Sequence, residues 1–82
     1  MLITLKKNVG LHILDGIVKT LVDKRLEVYV MRRRRPFLVA VFGEIDFDIF
    51  SLFGVESAER DAEFFREHRH EFEDARSYLS AA

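Results

Sequence analysis

Eighty-two residues leave room for one hydrophobic core and no second, so residues 1–82 are expected to form a single domain. Hydrophobic residues make up 49% of the chain, eight of them phenylalanine, which excludes the polar composition of a disordered segment, and the absence of cysteine excludes disulfides and thiolate chemistry. The net charge of −1 hides a division: residues 1–43 carry nine cationic side chains against three carboxylates, and residues 44–82 carry four against eleven.

Leu2–Leu5 read as a short strand. The stretch MLITLKKNVG has a short apolar run with its lysines after it, unlike a secretory signal, and nowhere do 18 apolar residues run together. No membrane span is expected, and a cytoplasmic location is the default expectation. From Val9 to Lys24, polar residues recur every three to four positions between Leu11, Leu14, Ile17, Val18, Leu21 and Val22, which is the period of a helix. Asp15-Gly16 is also a hairpin-turn signal, but IVKTLV after it does not alternate as a half-buried strand should, so the helix is the predicted element.

Leu26–Met31 and Phe37–Phe42 are β-branched and aromatic runs of strand length joined by a polar loop, and they predict an antiparallel hairpin. Pro36 suits the loop end or the first position of the second strand. That second strand is apolar on both faces, so helices, a neighbouring strand or another subunit must cover what one layer cannot. Residues 43–54 read either as a third strand, with Glu44, Asp46 and Asp48 on one face, or as a short helix using Phe47, Ile49, Phe50 and Phe53. The short helix is preferred, with Gly54 ending it. Ser57 reads as an N-cap, and Ala58, Phe65, Phe72 and Leu79 recur every seven residues. Together they predict one acidic amphipathic helix to about Leu79, roughly 33 Å long at ~1.5 Å per residue.

Three groups of residues could carry chemistry. Arg32, Arg33, Arg34 and Arg35 at the hairpin tip could grip carboxylates or phosphates in bidentate fashion, with Lys24, Arg25, Lys6 and Lys7 as further cations and Tyr29 and Phe37 as stacking partners. The plain alternative is a solvated tip that pairs with the acidic helix. In EHRHEFED, His68 and His70 sit about 200° apart on a helix and cannot share a metal, while Glu67, His70 and Asp74 share a face that is read as a solvated, salt-bridged surface in preference to a metal site. Glu44, Asp46 and Asp48 could hold Mg²⁺ on a strand, but no base or nucleophile accompanies them.

No glycine-rich phosphate loop, nucleophile motif or dinucleotide fingerprint occurs, and no enzyme, cofactor, metal or small-molecule substrate is expected. The expected fold is α+β: a short strand, a helix, an antiparallel β-hairpin, a short helical or extended segment, and a long C-terminal amphipathic helix packed on the sheet. The expected function is that of a small non-enzymatic interaction or regulatory protein acting through protein–protein contacts, as a homo-oligomer or on an acidic partner. A homodimer could set the basic tip of one subunit beside the acidic helix of the other. A nucleic-acid-binding regulator using Arg32–Arg35 is the alternative from a different class.

Overall fold

The computed structural model describes residues 1–80. They form a small α+β domain built on a five-stranded antiparallel sheet. In chain order the elements are β1 (Leu2–Leu5), α1 (Leu11–Asp23), β2 (Glu27–Met31), β3 (Leu38–Phe42), a 3₁₀ turn at Ile49–Ser51, β4 (Val55–Glu59), α2 (Glu63–Glu67), a second 3₁₀ turn at Arg69–Glu71, β5 (Glu73–Asp74) and α3 (Ala75–Ser80). The strands lie in the order β4-β1-β3-β2-β5.

The helix predicted between Val9 and Lys24 is present as α1, so Asp15-Gly16 does not turn the chain. Its apolar line Leu14, Ile17, Val18 and Leu21 is buried against Ile3, Leu5, Val28, Val30, Val39 and Val41 on one face of the sheet. The helix ends where Arg25 adopts a left-handed conformation, φ 64°, and its amide donates to the Val22 carbonyl at 2.9 Å. The hairpin pairs Glu27 with Phe42 through Met31 with Leu38.

The long C-terminal helix is not formed. Ser57 lies inside β4, paired with Thr4, and the last helix is six residues long. Two aspartates start two short helices in its place: Asp61 accepts from the Glu63 amide at 3.0 Å and Asp74 from the Arg76 amide at 2.8 Å. The physical reason lies in β3, which is buried along both faces. A straight helix covers one face only, whereas the broken chain passes around the β2 edge and covers both. Phe65 and Phe72 close one face with Leu2, Met31, Leu38, Ala40 and Ala62, while Ala75 and Tyr78 join α1 on the other. The seven-residue recurrence thus falls on β4, α2, the link before β5, and α3.

This arrangement also removes an argument for self-association, because the two-sided hairpin is covered by the chain's own helices. Between β3 and β4 the predicted short helix survives as a single 3₁₀ turn, where the Phe50 amide donates to Asp48 Oδ1 at 2.9 Å.

Two glycines differ in what they do. A methyl group at Gly16 would meet nothing within 4 Å, whereas at Gly54, φ +98°, it would lie 2.9 Å from Ile13 Cγ2 and 3.0 Å from Val9 Cγ1. Gly16→Ala is therefore expected to stabilise the domain by about 1 kcal/mol, raising Tm by roughly 4–8 °C. Gly54→Ala is expected to destabilise it by more than about 1 kcal/mol. Thermal melts of the two variants check the opposite signs.

Candidate functional site

Four consecutive arginines leave β2 and enter a tight loop, and the structure gives each a different environment. Arg32 Nε donates to Glu73 Oε1 at 2.8 Å and Nη2 to Oε2 at 3.5 Å, with the guanidinium 4.7 Å from the centre of the Tyr78 ring. Arg34 Nη2 lies 3.7 Å from Glu71 Oε1. Arg35, itself exposed, folds back over the chain, donating from Nη1 to the carbonyls of Lys7, at 3.1 Å, and Val9, and it stacks 4.7 Å from the Phe37 ring centre. Arg33 is exposed and, among the described residues, forms no ion pair.

Other cations sort themselves by the strand directions. Leu5 N donates to the Phe37 carbonyl at 3.0 Å, which brings Lys6 and Lys7 to the arginine end of the sheet. Lys24 and Arg25 sit at the opposite end of β2, roughly 16 Å away across five residues at ~3.3 Å each. There Lys24 Nζ lies 4.4 Å over the Phe47 ring. The structure therefore groups Lys6, Lys7, Arg33 and Arg34 as the outward basic end and leaves Lys24 and Arg25 out of it.

The two aromatic residues singled out as stacking partners are engaged in packing. Phe37 is buried under Arg35. The Tyr29 ring lies 5.0 Å from Phe65 and 6.1 Å from Phe42, with the Arg69 guanidinium 4.5 Å from its centre, and its hydroxyl donates to Glu27. That hydrogen bond is the main reason the Tyr29 phenol is pushed above its ordinary range. His68 stacks on Phe64 at 4.0 Å, with Nδ1 3.0 Å from the Phe64 carbonyl. Among the described residues, no three of His, Asp and Glu converge to hold a metal ion. No helix among them is long and apolar enough to cross a membrane.

Asp15 and Tyr78 tie α1 to α3, the tyrosine hydroxyl donating to Asp15 Oδ1. Burial first, and then this hydrogen bond, push the Tyr78 phenol well above its ordinary range. The folded chain keeps a proton that the unfolded chain releases near pH ~10, so this contribution is complete below about pH 10 and is lost as pH rises further. Tyr78→Phe is expected to lower stability by about 1 kcal/mol at neutral pH and to flatten the alkaline fall in stability. Urea midpoints measured across that range check both effects.

Sequence reasoning missed the open surface beside β4. Phe50 is 60% exposed and Phe53 78% exposed, on the turn that leads into β4, where the sequence pattern had placed both on the apolar side of a short helix. β4 is an edge strand, and among the described residues nothing pairs with its outer side. Its pattern, Val55-Glu56-Ser57-Ala58-Glu59 after Gly54, does carry a strand signal, blurred because the register with β1 shifts between Thr4 and Leu5.

Around Phe50, a cleft of about 650 Å³ is lined by Ile45, Phe47, Asp48, Ile49, Ala58 and Arg60, among others. Exposed rings and, among the described residues, an unpaired strand edge thus lie close together, with charged Asp48 and Arg60 in the cleft lining. No family model, no curated protein and no solved structure matches the chain.

Proposed function

We propose that the chain is a small non-enzymatic interaction protein that works through protein–protein contacts and associates with itself. The observation that carries this reading is the pair of exposed rings, Phe50 and Phe53, set on one turn beside an uncovered sheet edge. Covering one phenylalanine side chain is worth about 1.5–3 kcal/mol, so two on one turn are a costly exposure unless another surface meets them. Self-association no longer draws on an over-long helix or on an uncovered hairpin, since neither exists. Nor does the basic tip need a second subunit's acids, because Arg32 and Arg34 meet Glu73 and Glu71 of their own chain.

Sedimentation velocity between about 1 and 200 µM tests this reading, a range that detects dissociation constants in the micromolar class. The mass should rise from 9.6 kDa toward twice that value, and Phe50→Ser with Phe53→Ser should hold it at the lower one. A single 9.6 kDa species at every concentration sinks the self-association reading.

One observation favours nucleic acid as a second reading: Lys6 and Lys7 join Arg33 and Arg34 at one end of the sheet. Binding would then fall steeply with salt, about in proportion to the phosphates contacted, and neutralising Lys6, Lys7 and Arg33 should abolish it. Retention on DNA or RNA that is indifferent to both would remove this reading.

A further inference from the structure

The cleft of about 650 Å³ beside Phe50 falls in the size range of small-molecule sites, roughly 300–1,000 Å³. Its lining is apolar at Ile45, Phe47, Ile49, Phe50 and Ala58, and among its side chains only Asp48 and Arg60 are charged. Met1 lines it too, with its amino group donating to the Val41 carbonyl at 2.9 Å.

Both charged side chains have bonding capacity to spare. Asp48 Oδ1 accepts from the Phe50 amide at 2.9 Å, while the Asp48 carbonyl accepts from the Ser51 amide at 3.0 Å and from Ser51 Oγ at 2.6 Å. The turn thus fixes the carboxylate before a ligand arrives and leaves Oδ2 without a protein partner among the described residues. Arg60 presents its N–H donors as a planar fork, and among the described residues it takes part in no ion pair, with Asp48 or with any other acid. A lone anion drawn to Arg60 would meet Asp48, and a lone cation drawn to Asp48 would meet Arg60. Only a ligand carrying both signs is matched at both.

We propose that this cleft binds a small zwitterion with an apolar body, an apolar amino acid in its free form. Its ammonium donates to Asp48 Oδ2, its carboxylate takes the Arg60 fork, and its side chain covers the rings of Phe47 and Phe50. Binding of such a ligand is independent of self-association. Phe53 lines a separate groove with His12, Gly16 and Thr20, so an occupied cleft leaves that ring free for a second copy.

Amide shifts in NMR spectra of the full chain, titrated with L-phenylalanine to about 20 mM, test the site down to dissociation constants in the millimolar class. Saturable shifts should centre on residues 45–50 and 58–60. N-acetyl-L-phenylalanine lacks the ammonium and phenethylamine lacks the carboxylate, so each should bind at least about 5-fold more weakly than phenylalanine. Asp48→Asn keeps an acceptor for the Phe50 amide, and the fold with it. This variant should weaken phenylalanine by about 5-fold or more and leave N-acetyl-L-phenylalanine unchanged. Arg60→Gln should weaken phenylalanine as much and leave phenethylamine unchanged. Absence of saturable shifts overturns the site. Phenylalanine binding within about 2-fold of the parent's in either variant, or equal affinity for the three compounds, overturns the pairing of both charges with one ligand.

Discussion

Phe65→Ala is expected to cost about 3–5 kcal/mol, the largest loss for a single side chain in this domain. The reason begins with α2, whose five residues form too short a helix to hold itself together without tertiary packing. Phe65 pins that helix to the sheet: its ring centre is 4.9 Å from Phe72, 5.0 Å from Tyr29 and 5.2 Å from Phe42. Truncation opens a cavity against apolar side chains of β1, β2 and β3 and releases the segment that carries Ala62 and Phe72 onto the same face. A domain of 82 residues has about 4–12 kcal/mol in total. The variant therefore stands near the limit of folding. Phe65→Leu, which keeps most of the volume, should lose much less, and Phe53→Ala at the exposed turn should stay within about 0.5 kcal/mol. Urea unfolding followed by circular dichroism ranks the three. A loss below about 1 kcal/mol for Phe65→Ala would mean that α2 does not close this face.

That helix was the hardest element to see in the sequence. Phe65 and Phe72 share a cluster, and their seven-residue spacing fits a continuous helix as well as it fits two elements joined by a turn. What breaks the tie is non-local. β1 has an edge that needs a partner, and Val55–Glu59 supply it. β3 has two faces to cover, and only a chain that turns between Glu67 and Ala75 reaches both. The aspartates that accept amides at the break, Asp61 and Asp74, look in the sequence like two more carboxylates in an acidic run. By contrast, α1 and the hairpin are legible because their periods of 3.6 and 2 are set by one neighbouring layer each. The candidate site divides in the same way. Four adjacent arginines announce a basic loop, but their individual partners, at residues 7, 9, 71 and 73, are fixed by topology alone.

Arg35→Ala is expected to cost about 1–2 kcal/mol, well above any other substitution in the arginine run. A hydrogen bond from a charged donor is worth about 1.5–3 kcal/mol where solvent is excluded, and partial exposure of this loop reduces that figure. Arg35 makes two, to the carbonyls of Lys7 and Val9, and so fastens the hairpin tip to the segment that leads into α1. It also covers the buried Phe37 ring. Arg35→Lys keeps the charge but not the planar fork, and should recover less than half of the loss. Arg32→Ala gives up a half-exposed bidentate pair and the contact with Tyr78, about 1 kcal/mol together. Arg34→Ala and Arg33→Ala should be within about 0.5 kcal/mol of the parent. Chemical unfolding of the four single variants gives the order, and equal losses at all four positions would refute it. The order also decides how binding must be tested. Changing all four arginines to alanine removes a fastening of the fold together with the charge, so lost binding would have two causes. Lys6→Ala, Lys7→Ala and Arg33→Ala combined remove the outward charge and leave Arg35 in place. Binding of a polyanion or an acidic protein to the basic end should disappear in that triple variant while its unfolding midpoint stays close to that of the parent.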